Sequence, residues 1–294
     1  MINRKLMTDQ RLFIHLQGGL GNQLFIYFGS DYLRQICKKK IFFISTTTNQ
    51  LSKIGIAKFN YESILLQNAN RLLVLIFARA SSLRLFKKYI YFANDVGYED
   101  INEKAESLKF ISGYFQSYLY SEENKLKRSL IYENLIAISR DKQLSRDIDF
   151  RNSVAIHVRR GDYLLDRNSY FGLLSAEYYR EALLKISLVK SYDSIYLFSD
   201  SNLSEDFKAK LEISTNVKMF DMTECENLDD ISTLALLTKF ENCIISNSTF
   251  SWWGAFLGDE NKVVVAPSKW FKNRFDPSLL HPTNWLRSES KWEN

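Results

Sequence analysis

At 294 residues the chain is about twice the length of a typical single domain, and its 46% apolar side chains suffice for two modest cores. The charged fraction of 25%, the aromatic fraction of 14% and a count of only three prolines exclude a disordered or low-complexity chain. An excess of 39 basic over 34 acidic residues, a net charge of +5, suits an anionic ligand or surface without choosing between them.

The opening residues carry charge but no apolar run of signal-peptide length, so the protein is expected in the cytosol. Cys37, Cys225 and Cys243 are odd in number, far apart and outside any CxxC pair, which argues against a disulfide framework or a structural zinc site. Arg11 to Gln17 alternates apolar and polar side chains like a half-buried strand, breaks at Gly18-Gly19-Leu20-Gly21, and gives way to a helical pattern. That turn has neither GxGxxG nor Walker A spacing, so neither a dinucleotide nor a P-loop nucleotide is indicated. Glycine permits close backbone approach there, while Asn22 and Gln23 bring amide donors and acceptors to the helix start.

Ile41 to Ile44 reads as a second strand, and Tyr61 to Tyr91 as mainly helical. The longest apolar stretch, Arg71 to Phe92, is interrupted by Arg79, Arg84, Lys87 and Lys88 too often for a spanning helix. Those cations scatter round a helical wheel, which favours a helix docked on the core over an interfacial anchor. From Ser153 onward the pattern becomes regular, with strands at Val154–Val158, Ile195–Phe198, Val217–Phe220, Cys243–Ile245 and Val263–Val265 separated by helices. Such alternation specifies a parallel sheet covered on both faces. The change in regularity sets the expected domains at 1–150 and 151–294.

Ligands of open parallel sheets bind beyond the carboxyl ends of the strands. Arg159-Arg160-Gly161-Asp162 follows one such end; adjacent arginines point to opposite sides, so at most one meets a ligand, and Arg160 is the one favoured for a salt bridge with Asp162 or another carboxylate. His157 is either part of that site or a satisfied core residue. Ser199-Asp200 follows the next strand, where the acid can accept from a guanine edge or a ribose hydroxyl. Ser246-Asn247-Ser248-Thr249 opens a helix, which makes either a phosphate site or an ordinary N-cap. Trp252 and Trp253 can stack on a base or sugar, although at least one belongs in the core. Asp147-Ile148-Asp149 has the spacing of a metal-binding acid pair but precedes a strand, and no histidine cluster supports it. The Arg160-Gly161-Asp162 adhesion tripeptide and the Asn247-Ser248-Thr249 glycosylation pattern both require export.

Taken together, Gly18-Gly19-Leu20-Gly21-Asn22-Gln23-Leu24-Phe25, Gly113-Tyr114-Phe115-Gln116-Ser117, His157-Val158-Arg159-Arg160-Gly161-Asp162-Tyr163 and Ser246 through Gly254 resemble the bacterial α-1,2-fucosyltransferases of glycosyltransferase family 11. The resemblance spans most of the chain. It implies an α/β protein of the GT-B type, two Rossmann-like domains facing a central cleft, with GDP-fucose held by the carboxyl-terminal domain and the acceptor by the amino-terminal one. It implies no metal and no other cofactor. Arg159 would contact the β-phosphate with His157 beside it, Asp200 the guanine after Ser199, and Ser248 and Thr249 the diphosphate, flanked by Asn247 and Phe250, with Gly21 and Asn22 on the facing domain. Arg159, Asn22 and Asp162 form the expected catalytic set. Related enzymes place a carboxylate base where this chain has Arg167, so Asp162 is assigned as a partner of arginine or of backbone and Asn22 as the group that orients the acceptor. The expected acceptor is a galactose-terminated, lipid-linked surface-polysaccharide oligosaccharide, a setting compatible with peripheral contact at the inner membrane. Because no basic stripe is clustered, a nucleic-acid partner is not expected.

Overall fold

The structure is a computed structural model that describes residues 11–56, 67–83, 86–101, 106–122, 124–141, 147–165, 170–212, 214–223, 225 and 228–293. The chain divides into two compact units, Met1–Lys125 with Pro277–Leu280, and Leu126–Asp276 with His281–Asn294. The division at residues 125 and 126 lies upstream of the expected boundary at 150, so that the segment from Leu126 to the first strand of the second sheet belongs to the second unit.

In the first unit β1 (Arg11–Leu16) leads through the glycine turn into α1 (Leu20–Cys37) and then β2 (Lys40–Ser45). After α2 (Gln67–Ser81) come the three-residue strands β3 (Ile90–Phe92) and β4 (Phe110–Ser112), and then the single turn α3 (Leu119–Glu122). All four strands are parallel, in the order β2-β1-β4-β3. Helix α2 docks through Val74, Phe77 and Ala80 on a core of Ile44, Ile90 and Phe110, as a core helix should. The remainder of the helical stretch expected over residues 61–91 includes 61–66 and 84–85, which lie outside the described residues.

The second unit opens with α4 (Lys125–Asp141), then β5 (Ser153–Val158), α5 (Ala176–Ser187), β6 (Ser194–Ser199), α6 (Glu205–Ala209) and β7 (Lys218–Asp221). It continues with α7 (Asp230–Leu237), β8 (Asn242–Ile244), α8 (Thr249–Phe256), β9 (Val263–Pro267) and β10 (Leu286–Ser288). The six strands are all parallel, in the order β10-β9-β8-β5-β6-β7. All six residues of β5 are buried, which explains its near-continuous apolar sequence: a central parallel strand has no solvent face. Side chains stop the chain from fraying between elements. Ser204, Asp229 and Ser248 accept from the first turns of α6, α7 and α8.

The strand orders locate the functional ends of both sheets. From β5 the chain moves outward through β6 and β7, then returns to place β8 on the other side of β5. The topological switch point of the second sheet is therefore between β5 and β8. By the same logic, that of the first sheet lies between β1 and β4. Crevices at such points are where open α/β sheets take ligands.

Candidate active site

At the second switch point Ile156 is in register with Ile244, so the residues following both strands emerge side by side. His157 sits on β5, fully enclosed, with Nδ1 3.2 Å from the Ser246 hydroxyl across the gap and its ring 5.4 Å from that of Phe250. Burial, reinforced by the Arg159 charge and only partly opposed by Asp200, lowers its pKa to about 4. The imidazole is thus neutral at physiological pH. Ser246 also reaches the Ser251 hydroxyl at 3.3 Å, which ties the start of α8 to the strand end.

The two arginines take different partners. Arg159 reaches Asp162 Oδ1 at 2.5 Å and Asp200 Oδ2 at 2.7 Å, with the guanidinium 5.3 Å from the centre of the Tyr163 ring. Arg160 turns the other way into a two-pronged pair with Glu293, at 2.5 and 2.7 Å, and lies over Phe207. Asp200 receives the Arg160 backbone N–H at 2.7 Å as well. Its carboxylate presses so closely on Gly161 that a Cβ there would stand 2.3 Å from Oδ2. Glycine is the residue that lets the strand-end turn and the acid share this space. Ser199 ends β6 and accepts from the Ser201 N–H at 3.2 Å, which fixes the turn that carries Asp200.

Along the start of α8, Ser248 is an N-cap: its hydroxyl accepts from the Phe250 N–H at 3.3 Å. Thr249 and Phe250 are half-buried beside it. Asn247 is buried, and its amide donates to the carbonyls of Phe171, Gly172 and Trp270 at 2.9, 3.3 and 3.2 Å. Its backbone carbonyl accepts from the Tyr163 hydroxyl at 2.9 Å. Asn247 therefore acts on the site by tying down two loops, and its burial is at odds with a glycosylation acceptor. Trp252 and Trp253 are both fully enclosed and pack against Phe256, with Trp252 also meeting Trp285, so neither offers a stacking face.

The first unit repeats the device at its own switch point. His15, near the end of β1, makes hydrogen bonds of 2.8 Å with the Ser112 hydroxyl of β4 and 2.7 Å with that of Thr46, and burial lowers its pKa to about 4. Beyond the strands the Gln116 amide donates to Asn22 Oδ1 at 3.0 Å, joining two of the sequence motifs. Gln23 is fully enclosed, donates to the Gly18 and Thr48 carbonyls at 2.9 and 2.8 Å, and accepts from the Gln50 N–H. Phe115, just before Gln116, is buried at a φ of +53°, where non-glycine residues are rare. Gly21 is buried in the first turn of α1.

Sequence reasoning did not single out His15, Gln116, Tyr163 or Glu293 as site residues. Gln116 lay within a motif already noted, and the strand-end position of His15 was a usable signal; Glu293 had none. Asp149 caps the turn before β5 through the N–H groups of Arg151 and Asn152. Arg167 lies outside the described residues. Among the described residues no group of three or more His, Cys, Asp or Glu is arranged to hold a metal ion.

Two parallel α/β units, each with polar side chains gathered at its switch point, define an α/β protein of the kind that takes ligands beyond the carboxyl ends of its strands. The family described as glycosyl transferase family 11 matches residues 11–287, and the chain belongs to that family. It is a glycosyltransferase. The O-antigen biosynthesis glycosyltransferase WbnK of Escherichia coli is 28% identical over 302 residues, covering 92% of this chain and 98% of that protein. An alpha-1,2-colitosyltransferase of Escherichia coli is 27% identical over 293 residues, covering 93% and 97%. Among solved structures, the fucosyltransferase NodZ from Bradyrhizobium is similar with a TM-score of 0.45 and 14% identity, covering 84% of this chain and 94% of that one.

Proposed function

We propose that the protein transfers L-fucose from GDP-β-L-fucose to the 2-hydroxyl of a galactose in a surface-polysaccharide acceptor, with inversion and without a metal. The observation that carries this reading is the grouping of Arg159, Asp200 and the α8 start at the switch point of the second sheet. Breaking the bond from fucose C1 to phosphate leaves oxocarbenium character on the sugar and negative charge on departing GDP. Arg159 and the positive end of α8 meet that charge, which is the task a metal ion performs in other transferases. Asp200 accepts from the guanine edge, and neutral His157 keeps the Arg159 side of the site free of a competing cation. The galactose 2-hydroxyl oxygen attacks C1 from the face opposite GDP as the C1–O bond to GDP breaks and gives up its proton late, to solvent, converting the β-linked donor to an α-linked product, with Asn22, held by Gln116, orienting the acceptor.

The linkage in the name of the colitosyltransferase relative supports a 1,2-bond, and the O-antigen role in the name of the other supports the acceptor class. The first of these also supports a second reading, the same linkage made with a different donor sugar. Release of GDP from GDP-fucose should rise on adding a β-galactoside and survive EDTA, and linkage analysis of the product should show an α-1,2 bond. No acceptor-stimulated release across a broad galactoside panel would reject the reading. Competition between GDP-fucose and nucleotide-activated colitose, with GDP-mannose and UDP-sugars alongside, separates the two readings.

A further inference from the structure

Helix α2 is apolar on two faces. One holds the core; on the other, at positions i, i+3, i+4, i+7 and i+11, stand Leu72, Leu75, Ile76, Arg79 and, just past the helix end, Leu83. The four aliphatic side chains are 61, 65, 53 and 56% exposed, and Phe86, beyond the helix end, is exposed as well. A helix lying on a domain surface normally turns polar side chains outward along this line. The row is too short to cross a bilayer, since no helix among the described residues is long and apolar enough to do so.

Charge selects what covers it. Arg79 lies within the row, Arg71 on its edge and Lys87 and Lys88 just beyond, all exposed. The sequence has no acidic residue between Glu62 and Asp95. Two copies of this face would bring like charges together, which disfavours a dimer through it. An anionic lipid surface has the opposite property. Leucine and isoleucine side chains enter the boundary between headgroups and acyl chains, while arginine and lysine stems lie alongside and reach phosphate with their charged ends. We propose that the outer face of α2, with Leu72, Leu75, Ile76 and Arg79, and the exposed Leu83, Lys87 and Lys88 beyond the helix end, form a docking surface for an anionic membrane. The proposal does not depend on the donor, because its readout is lipid binding.

The full chain is sedimented with vesicles of phosphatidylglycerol and phosphatidylcholine in a one-to-three ratio, and with phosphatidylcholine alone. Binding is expected to the mixed vesicles only and to decline with added salt. Leu75→Glu with Ile76→Glu should weaken it by at least about tenfold, and Arg79→Gln with Lys87→Gln by about tenfold, with no loss of melting temperature. Should the first pair lower the melting temperature, the second, which leaves every apolar side chain in place, carries the test. Equal binding by native and substituted chains, absence of binding by the native chain, or binding to neutral vesicles alone overturns the proposal. So does a native dimer that the first pair converts to monomer, since the face would then join copies of the chain.

Discussion

Arg159 stands between two carboxylates that are held to different degrees. Asp200 also accepts the Arg160 N–H and lies wedged against Gly161, whereas the Asp162 side chain is 50% exposed on a short turn. A diphosphate approaching Arg159 would therefore displace Asp162 and leave Asp200 in place. Titration calorimetry with GDP should show Asp162→Asn binding up to about fivefold more tightly, the limit set by the small worth of an exposed ion pair. Asp200→Asn should instead lose about tenfold or more, because the anionic acceptor proposed for the base disappears. Weaker binding by Asp162→Asn would count against displacement. Arg159→Ala should lower turnover by about a hundredfold, as expected for a charge-assisted contact to the leaving group, and a near-native rate would remove that role. Arg159 and Asp200 were legible as candidates because both follow apolar runs read as parallel strands. The Arg160 partner was not, since Glu293 lies 133 positions away and no local pattern links them.

Five of the six strands of the second sheet were legible as elements because each is a short, largely apolar run bounded by polar turns. Those at 90–92, 110–112 and 286–288 were not: three residues give too little sequence for either periodicity to register. Sheet order was also hidden, although it decides where the switch points lie and hence why the motifs after β1, β4, β5 and β8 converge in pairs. The role of Asn247 is a related case. Its sequence context suited a phosphate contact, but its amide ties the loops at 171–172 and 270 to the start of α8. Asn247→Ala should cost about 2–4 kcal/mol in chemical denaturation, since several enclosed carbonyls lose their donor together. Asn247→Asp should not restore it, because a carboxylate cannot donate to those carbonyls. A stability loss below about 0.5 kcal/mol would argue that the loops are held by other contacts.

All three histidines of the chain, His15, His157 and His281, have pKa values pushed down by burial. Between about pH 4 and 6.5 the unfolded chain binds protons at His15 and His157 that the folded chain refuses, and His281 acts in the same direction, so stability is full above that window and is lost as pH falls through it. Each histidine contributes a slope of up to about 1.4 kcal/mol per pH unit. Melting temperatures should drop steeply from pH 6.5 to 4.5, and His15→Gln, which keeps hydrogen-bonding capacity without titrating, should make the fall shallower. An unchanged slope in that variant would remove His15 from the account. The return of the chain to the first unit at Pro277–Leu280 also has a bearing on inheritance. Ser278 exchanges hydrogen bonds with Tyr98, and the Leu279 carbonyl accepts from the Tyr118 N–H and the Ser117 hydroxyl. A recombination event with one crossover near residue 125 would thus graft most of the first unit onto a foreign four-residue patch. Exchange of that unit between family members, in evolution or by design, calls for two exchanged segments, and hybrids that carry residues 277–280 along with 11–125 should fold where single-crossover hybrids fail.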